Sequence, residues 1–201
     1  MIKIEVDPQS LREVGDYLKA SQKQVRLATR RAQRKTSAWA ATQVIRRMAS
    51  SHDIPQKVLR GGASGSTQGS RPSLNTKDRR KRGQRVVSRA SSVWVGYDPI
   101  KSGYLGAVRQ AAGGARAGRH KFADAFVAQL QSGHRGAFRR KGSSVRRSPG
   151  AWSPNLPIEE ARLELARGRM VAQSVQREVP VRLKGLLARE LSYEVDVRGR
   201  G

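Results

Sequence analysis

From residue 16 to residue 54 the chain contains neither glycine nor proline, so nothing in that span forces the backbone out of a helix. A heptad-like spacing runs through Leu11, Val14, Leu18, Ser21, Val25, Ala28, Ala32, Lys35 and Trp39, and Ile45 and Met48 extend its apolar edge with Ala38 and Ala41. Ser10 followed by Glu13 fits a capping box, in which each side chain satisfies the other residue's free backbone N–H. These signals predict one helix over residues 10–51, about 60 Å long at about 1.5 Å per residue. A compact domain of this size has no use for such a length inside itself. The helix is therefore expected to project or to pack on a neighbouring subunit, with Leu18, Val25 and Trp39 as its candidate packing positions. Its other faces carry Lys19, Lys23, Arg26, Arg30, Arg31, Arg34, Arg46 and Arg47, which read equally as a solvated face or as one that meets an anion.

Those cations belong to a larger excess. The 201 residues include 41 Lys+Arg and 15 Asp+Glu, a formal charge of +26, and self-repulsion at that level opposes compaction unless a polyanion or a partner relieves it. With 37% hydrophobic and 5% aromatic residues, one core is expected, in a single domain over 1–201 that carries exposed arms. The excess is concentrated in residues 61–150, which hold nineteen cations and three acids. Nucleic acid is the first partner this implies and an acidic protein surface the second. No stretch approaches the roughly 18 apolar residues of a spanning helix, so no membrane partner is expected. The N-terminal MIKIEVDPQS has no apolar core or cleavage site of a secretory signal. Cysteine is absent, which removes disulfides, thiolate zinc sites and thiol catalysis and fits assembly in a cytoplasm.

Residues 2–6 alternate apolar and charged, as in a half-buried strand. A flexible basic loop is expected over 61–85: its first part is rich in Gly and Ser without the GK[ST] ending of a phosphate loop, and its second part carries Lys77, Arg79, Arg80, Lys81, Arg82 and Arg85. A sheet is expected over 86–141. It opens with a strand from Val86 to Tyr97 and continues through a strand or turn at Tyr104–Arg109. Residues 121–130 then read as one strand, with Phe122, Phe126 and Leu130 on one face, although a helix fits the same spacing. Ser132-Gly133-His134 closes a hairpin in which Gly133 takes a positive φ. The returning strand ends in Arg139, Arg140 and Lys141, which face a polyanion or an acidic partner, or simply solubilise a loop. The last part of the chain, 152–192, reads as an extended segment followed by a helix from about Glu159, with Gly168 and Pro180 as breaks or kinks. Val171, Val175, Val179, Leu183 and Leu187 recur along it every four residues, and Val175, Leu183 and Leu187 are the candidate subunit-packing positions there. The fold class is α+β, a long N-terminal and a C-terminal helix packed on a small antiparallel sheet with basic, Gly-rich arms.

Catalytic groups are sparse. His52, His120 and His134 lack metal-ligand spacing, Asp78, Asp98 and Asp124 are the acids of the central region, and Glu159 and Glu160 are explained by a helix N-terminus. No enzyme, cofactor or metal is expected. DNA or RNA would be held through phosphates and without sequence preference, because no reading module occurs.

The order of short motifs is informative where each alone is weak. Ala125-Phe126-Val127, Ser132-Gly133-His134, Phe138-Arg139-Arg140, Leu156-Pro157-Ile158 and a helix from about Met170 follow one another, preceded by the long helix, Val93-Trp94-Val95-Gly96 and Tyr104-Leu105-Gly106. This arrangement resembles the minor tail protein Z family of tailed bacteriophages, the tail completion proteins, over nearly the full chain. The basic 77–85 segment and the insert at 142–155 depart from the family pattern. The resemblance implies an α+β protomer in a hexameric ring at the head-proximal end of the virion tail, assembled in the host cytoplasm. It would lie against the tail terminator, the tail tube and the head connector, with phage DNA in the channel. A nonspecific nucleic-acid-binding protein, in packaging or on the ribosome, is the alternative.

Overall fold

The computed structural model describes residues 2–17, 20–60, 73–75, 90–140 and 158–197. In chain order the strands are β1 (Ile2–Glu5), β2 (Ser73–Asn75), β3 (Ala90–Trp94), β4 (Ile100–Lys101), β5 (Val108–Ala111), β6 (Gly114–Ala117), β7 (His120–Ala123), β8 (Phe126–Gln129), β9 (Arg135–Arg140), β10 (Ile158–Glu160) and β11 (Arg162–Leu163). The helices are α1 (Pro8–Tyr17), α2 (Gln22–Ser51), α3 (Gln56–Leu59) and α4 (Gly168–Ser192), and a π-helical turn, Tyr193–Val197, continues α4. The fold is α+β, with two long helices and four small antiparallel sheets among the described residues. It divides into two compact units: residues 1–52, 71–97 and 166–201 form one, and residues 53–70 and 98–165 the other.

In the first unit the expected single helix is two. Asp7 Oδ1 accepts the N–H of Gln9 (3.3 Å), so α1 starts at Pro8, and Ser10 lies inside the helix instead of capping it. The capping box sits further on. Ser21, read above as part of the apolar edge, has extended backbone angles. Its Oγ accepts the N–H of Gln24 (3.3 Å), and Gln24 Oε1 accepts the N–H of Ser21 (2.8 Å). Two reciprocal bonds of this kind start a new helix without help from glycine or proline, which is why the uninterrupted run misled. The α2 helix is thus about 45 Å long.

The buried positions of α2 come in adjacent pairs: Ala28/Thr29, Ala32/Gln33, Thr36/Ser37, Ala40/Ala41, Val44/Ile45 and Met48/Ala49. So broad a stripe serves two neighbours, α4 and the β1–β3–β2 sheet. The buried hydroxyls of Thr29, Thr36 and Ser37 donate to carbonyls one turn back, which removes the cost of burying them unpaired. Ser37 Oγ also lies 3.0 Å from Ser91 Oγ of β3.

The α2–α4 seam is antiparallel and carries a ladder of ion pairs. Arg31 pairs with Glu194, Lys35 with Glu190, and Arg47 with Glu178 at 2.7 Å. Arg47 grips both Glu178 oxygens and donates to Ser174 Oγ at 3.1 Å. Between these rungs the Arg182 guanidinium lies 5.9 Å from the centre of the Trp39 ring. At the far end, His52 caps α2: its Nδ1 faces the Met48 carbonyl and its Nε2 accepts the N–H of Arg167, just before α4.

The α4 helix starts at Gly168 because residues 158–160 and 162–163 are strands, so Glu159 and Glu160 do not cap it as expected. It runs through Pro180 without ending, the ring lying on the exposed face. A strict four-residue row drifts about 40° per step around a helix of 3.6 residues per turn. The outermost members, Val171 and Leu187, are accordingly only half-buried, while Ala172 and Leu186 join Val175, Val179 and Leu183 inside.

The second unit is a set of tight hairpins. One sheet has the order β5–β6–β7, another β8–β9–β10, and β4 pairs with β11, all antiparallel. The single strand expected over 121–130 is two, β7 and β8, divided at Asp124, whose φ is 54°. The hairpin at Ser132–His134 forms as expected. Gly133 has φ 78°, and the Leu130 N–H donates to the His134 carbonyl at 2.9 Å. Of 104–109, Tyr104 ends a 3-10 turn, Ser102–Tyr104, residues 105–107 connect it onward, and Val108 and Arg109 begin β5. Val108, Ala115, Ala117, Phe122, Ala137 and Phe138 supply much of the core.

The ladder gives two expectations. Glu194 is 2% exposed and Arg31 33% exposed, so Arg31→Met takes the Arg31 cation away from a buried carboxylate. The expected loss is about 2–3 kcal/mol by urea denaturation, below the range for a fully buried pair because Arg31 keeps part of its side chain in water. Arg31→Met with Glu194→Leu recovers most of it. The hydrogen bond from Arg47 holds the Glu178 carboxyl below its ordinary value. A lowered folded-state pKa stabilises above the unfolded value, and that contribution is lost as pH falls through the folded one. NMR titration should accordingly show the Glu178 midpoint rise in Arg47→Ala.

Candidate functional site: a cationic sheet face

The expected basic residues Arg79, Arg80, Lys81, Arg82, Arg85 and Lys141 lie outside the described residues, as do Leu18 and residues 152–157 of the expected extended segment. Within 61–85, residues 73–75 form β2 rather than loop. Arg139 and Arg140 end β9 on the surface, but they are not equivalent. Arg139 stands opposite Glu159 in register and donates from Nε to the Ala123 carbonyl at 3.1 Å, so it is held to its own unit. Arg140 stands opposite Ile158.

The packing positions divide as well. Val175 and Leu183 are buried in the α2–α4 seam, which corrects their assignment to a subunit contact, since an apolar stripe already covered by α2 cannot meet a neighbour. Val25, Trp39 and Leu187 are half-buried. Among the described residues the exposed large apolar ones are others: Trp94, Met170, Val181, Tyr193 and Val197.

A cationic cluster absent from the expected set stands on the β5–β6–β7 sheet. Arg109 of β5 is directly opposite Arg116 of β6, and Arg116 directly opposite Lys121 of β7. All three are exposed. Alternation along the strands places Val108, Ala115, Ala117 and Phe122 on the other, buried face. Gln110 is on that inner side too: its amide accepts from the Val127 N–H at 2.9 Å and donates to the Gly114 carbonyl, tying β5 to β8. The three cations form a bar about 10 Å long at the usual strand spacing. Like charges directly opposite in a sheet are destabilising. Among the described residues no acid makes an ion pair with any of them; the nearby Arg119 is the one that pairs with Asp53, at 3.2 Å.

Two turns create this register. Ala112-Gly113 joins β5 to β6 and Gly118-Arg119 joins β6 to β7, each as a two-residue loop. The residues lie seven and five positions apart in sequence, so no basic run announces them. The signal that could have found them is the pair of Gly-containing turns, which together fix which residues face each other.

Beside the sheet is a second polar cluster. The fully buried Ser102 accepts the Ala137 N–H at Oγ (2.8 Å), and Glu160 Oε1 lies 3.3 Å from Ser102 Oγ, accepts the Gly103 N–H at 3.0 Å and lies 3.0 Å from His134 Nε2. The carboxylate stands between serine and histidine, whereas an acyl-transfer triad needs the histidine in the middle. The cluster instead knits the 3-10 turn to β9 and β10. Sequence reasoning took His134 for a surface residue and Glu160 for a helix cap. Among the described residues, no group of three His, Asp or Glu could hold a metal ion, and no helix is long and apolar enough to cross a membrane.

No family model matches the chain, and neither a curated protein nor a solved structure gives a significant match.

Gly118 tests how firmly the register is set. Its φ is 57°, and an added Cβ would lie 2.5 Å from the Leu105 carbonyl oxygen, whereas at Gly133, with φ 78°, the same atom would meet nothing within 4 Å. Gly133→Ala should therefore cost about 1 kcal/mol, from the backbone conformation alone. Gly118→Ala, with a backbone clash added, should cost about 2–4 kcal/mol in the same denaturation assay.

Proposed function

We propose that this chain is a structural subunit of a phage tail, part of a hexameric ring that completes the head-proximal end and helps form the head–tail junction. The reading rests on the motif order that resembles the tail completion proteins. The observation set beside it is a pair of uncovered apolar side chains. Met170 and Val181 on α4 are 69% and 79% exposed. They stand three turns apart on one side of the helix, whose opposite side is spent on α2. Exposed Arg177 stands between them, so this side of the helix offers two apolar contacts around a cation; on a chain of charge +26 both cover from water and compensation of charge would be met in an assembly of copies against other virion parts.

The nonspecific nucleic-acid-binding reading is favoured by a different observation, the Arg109–Arg116–Lys121 bar. The two differ in what deletion does. A phage lacking the chain should make tails that yield no infectious particles, and normal infectivity would overturn the tail reading. Met170→Asp with Val181→Asp provides the finer test. Both side chains are on the surface, so stability should stay within about 0.5 kcal/mol, while incorporation into tails, followed by immunoblot of purified virions, should be lost.

A further inference from the structure

We infer that Arg109, Arg116 and Lys121 form a contact for the phosphate backbone of a nucleic-acid duplex, held without regard to sequence. The inference does not depend on the tail reading. It starts from an expense the fold does not require: three cations directly opposite one another on adjacent strands, with no acid of the described chain in an ion pair with any of them. Folding alone would favour a neutral or acidic residue at the central position, Arg116, where both cross-strand neighbours are cations.

The rest of the face says what kind of anion fits. Next to the bar on the same side of the sheet, the register aligns Ala111, Gly114 and Ala123, and at the other end Gly118 begins the turn. This floor of small residues has no tall side chain beside the cations. An acidic protein partner would need an apolar or aromatic anchor at the centre of such a contact, and the described residues of this face offer none. A duplex needs only charge and clearance. It presents one phosphate per about 1.7 Å of axis, so a bar about 10 Å long spans enough phosphates to occupy all three side chains. Among the described residues no aromatic platform for unstacked bases occurs on the face, so a duplex fits better than a splayed single strand.

The experiment uses the full chain, random-sequence duplex DNA and duplex RNA, with binding followed by fluorescence anisotropy across a salt series. Arg109→Gln, Arg116→Gln and Lys121→Gln are combined in one variant. A charge-matched control combines Lys23→Gln, Arg26→Gln and Arg34→Gln, three exposed cations of α2. Three lost phosphate contacts should lower the slope of log K against log salt by about 2.7 on DNA, so that wild-type affinity falls about 40-fold more than the variant's between about 50 and 200 mM salt. The control should change the slope by clearly less. The melting temperature of the sheet variant should equal or exceed that of wild type, because repulsion has been removed; a purely structural role would lower it. Loss on both DNA and RNA supports the inference, as does loss on DNA alone. An unchanged slope overturns it, and so does an equal loss in the control, which would mean that bulk charge is responsible. Tighter binding to poly-glutamate than to duplex, abolished by the sheet variant, would overturn it in favour of a carboxylate partner.

Discussion

Two buried carboxylates, Glu190 in α4 and Glu194 in the turn that continues it, are set against Lys35 and Arg31 of α2, and burial makes the loss of either cation costly. That requirement sets more than a local contact. The same register brings Glu178 to Arg47, and with the pairs at both ends of the seam engaged, α4 cannot slide by a turn along α2 without stranding charge in the core. The small residues of α2, Ala28, Ala32, Ala40 and Ala41 among them, then let the helix backbones and the β1–β3–β2 sheet close on one another. Ion pairs here act chiefly as register marks, and apolar burial supplies the stability.

The ladder also shapes where positive charge remains. Three of the chain's 15 acids are spent on α2, each against a cation of its own. In the hairpin unit three of the acids are placed differently: Asp53 meets Arg119, Glu160 lies with Ser102 and His134, and Glu159 stands opposite Arg139. Among the described residues no acid makes an ion pair with Arg109, Arg116 or Lys121. A sheet can tolerate that bar because its opposite face is packed with Val108, Ala115, Ala117 and Phe122, and because two glycine turns leave the strands no other register. Stability on one face thus supports an electrostatically unfavourable arrangement on the other, the usual relation between a scaffold and a binding surface.

How much of this was legible depended on the range of the interaction concerned. The hairpin at Ser132–His134 was legible because a turn is decided by a few adjacent residues and Gly133 tolerates the φ it needs. The strand at Ile2–Glu5 was legible from alternation. The break before α2 was written in the chain as Ser21-x-x-Gln24, yet the heptad count absorbed Ser21 as a core position and hid it. Glu159 and Glu160 looked like helix caps because acids favour helix N-termini, but cross-strand pairing with Arg139 and Phe138 outweighed that preference. Val175 and Leu183 were rightly read as apolar packing positions. Their partner was α2 of the same chain, and periodicity cannot say which surface an apolar stripe will meet.

The sequence by itself determined the α+β class, the excess of cations, the glycine turns and the caps, since each follows from composition or from residues within a turn of one another. Only the tertiary structure decided that Arg31 belongs to Glu194, that His134 lies against Glu160, and that Arg109, Arg116 and Lys121 stand in line. Those pairings join residues that propensity treats as independent. They come into being when helix seams and strand registers lock, and that locking is a property of the whole packed chain rather than of any segment in it.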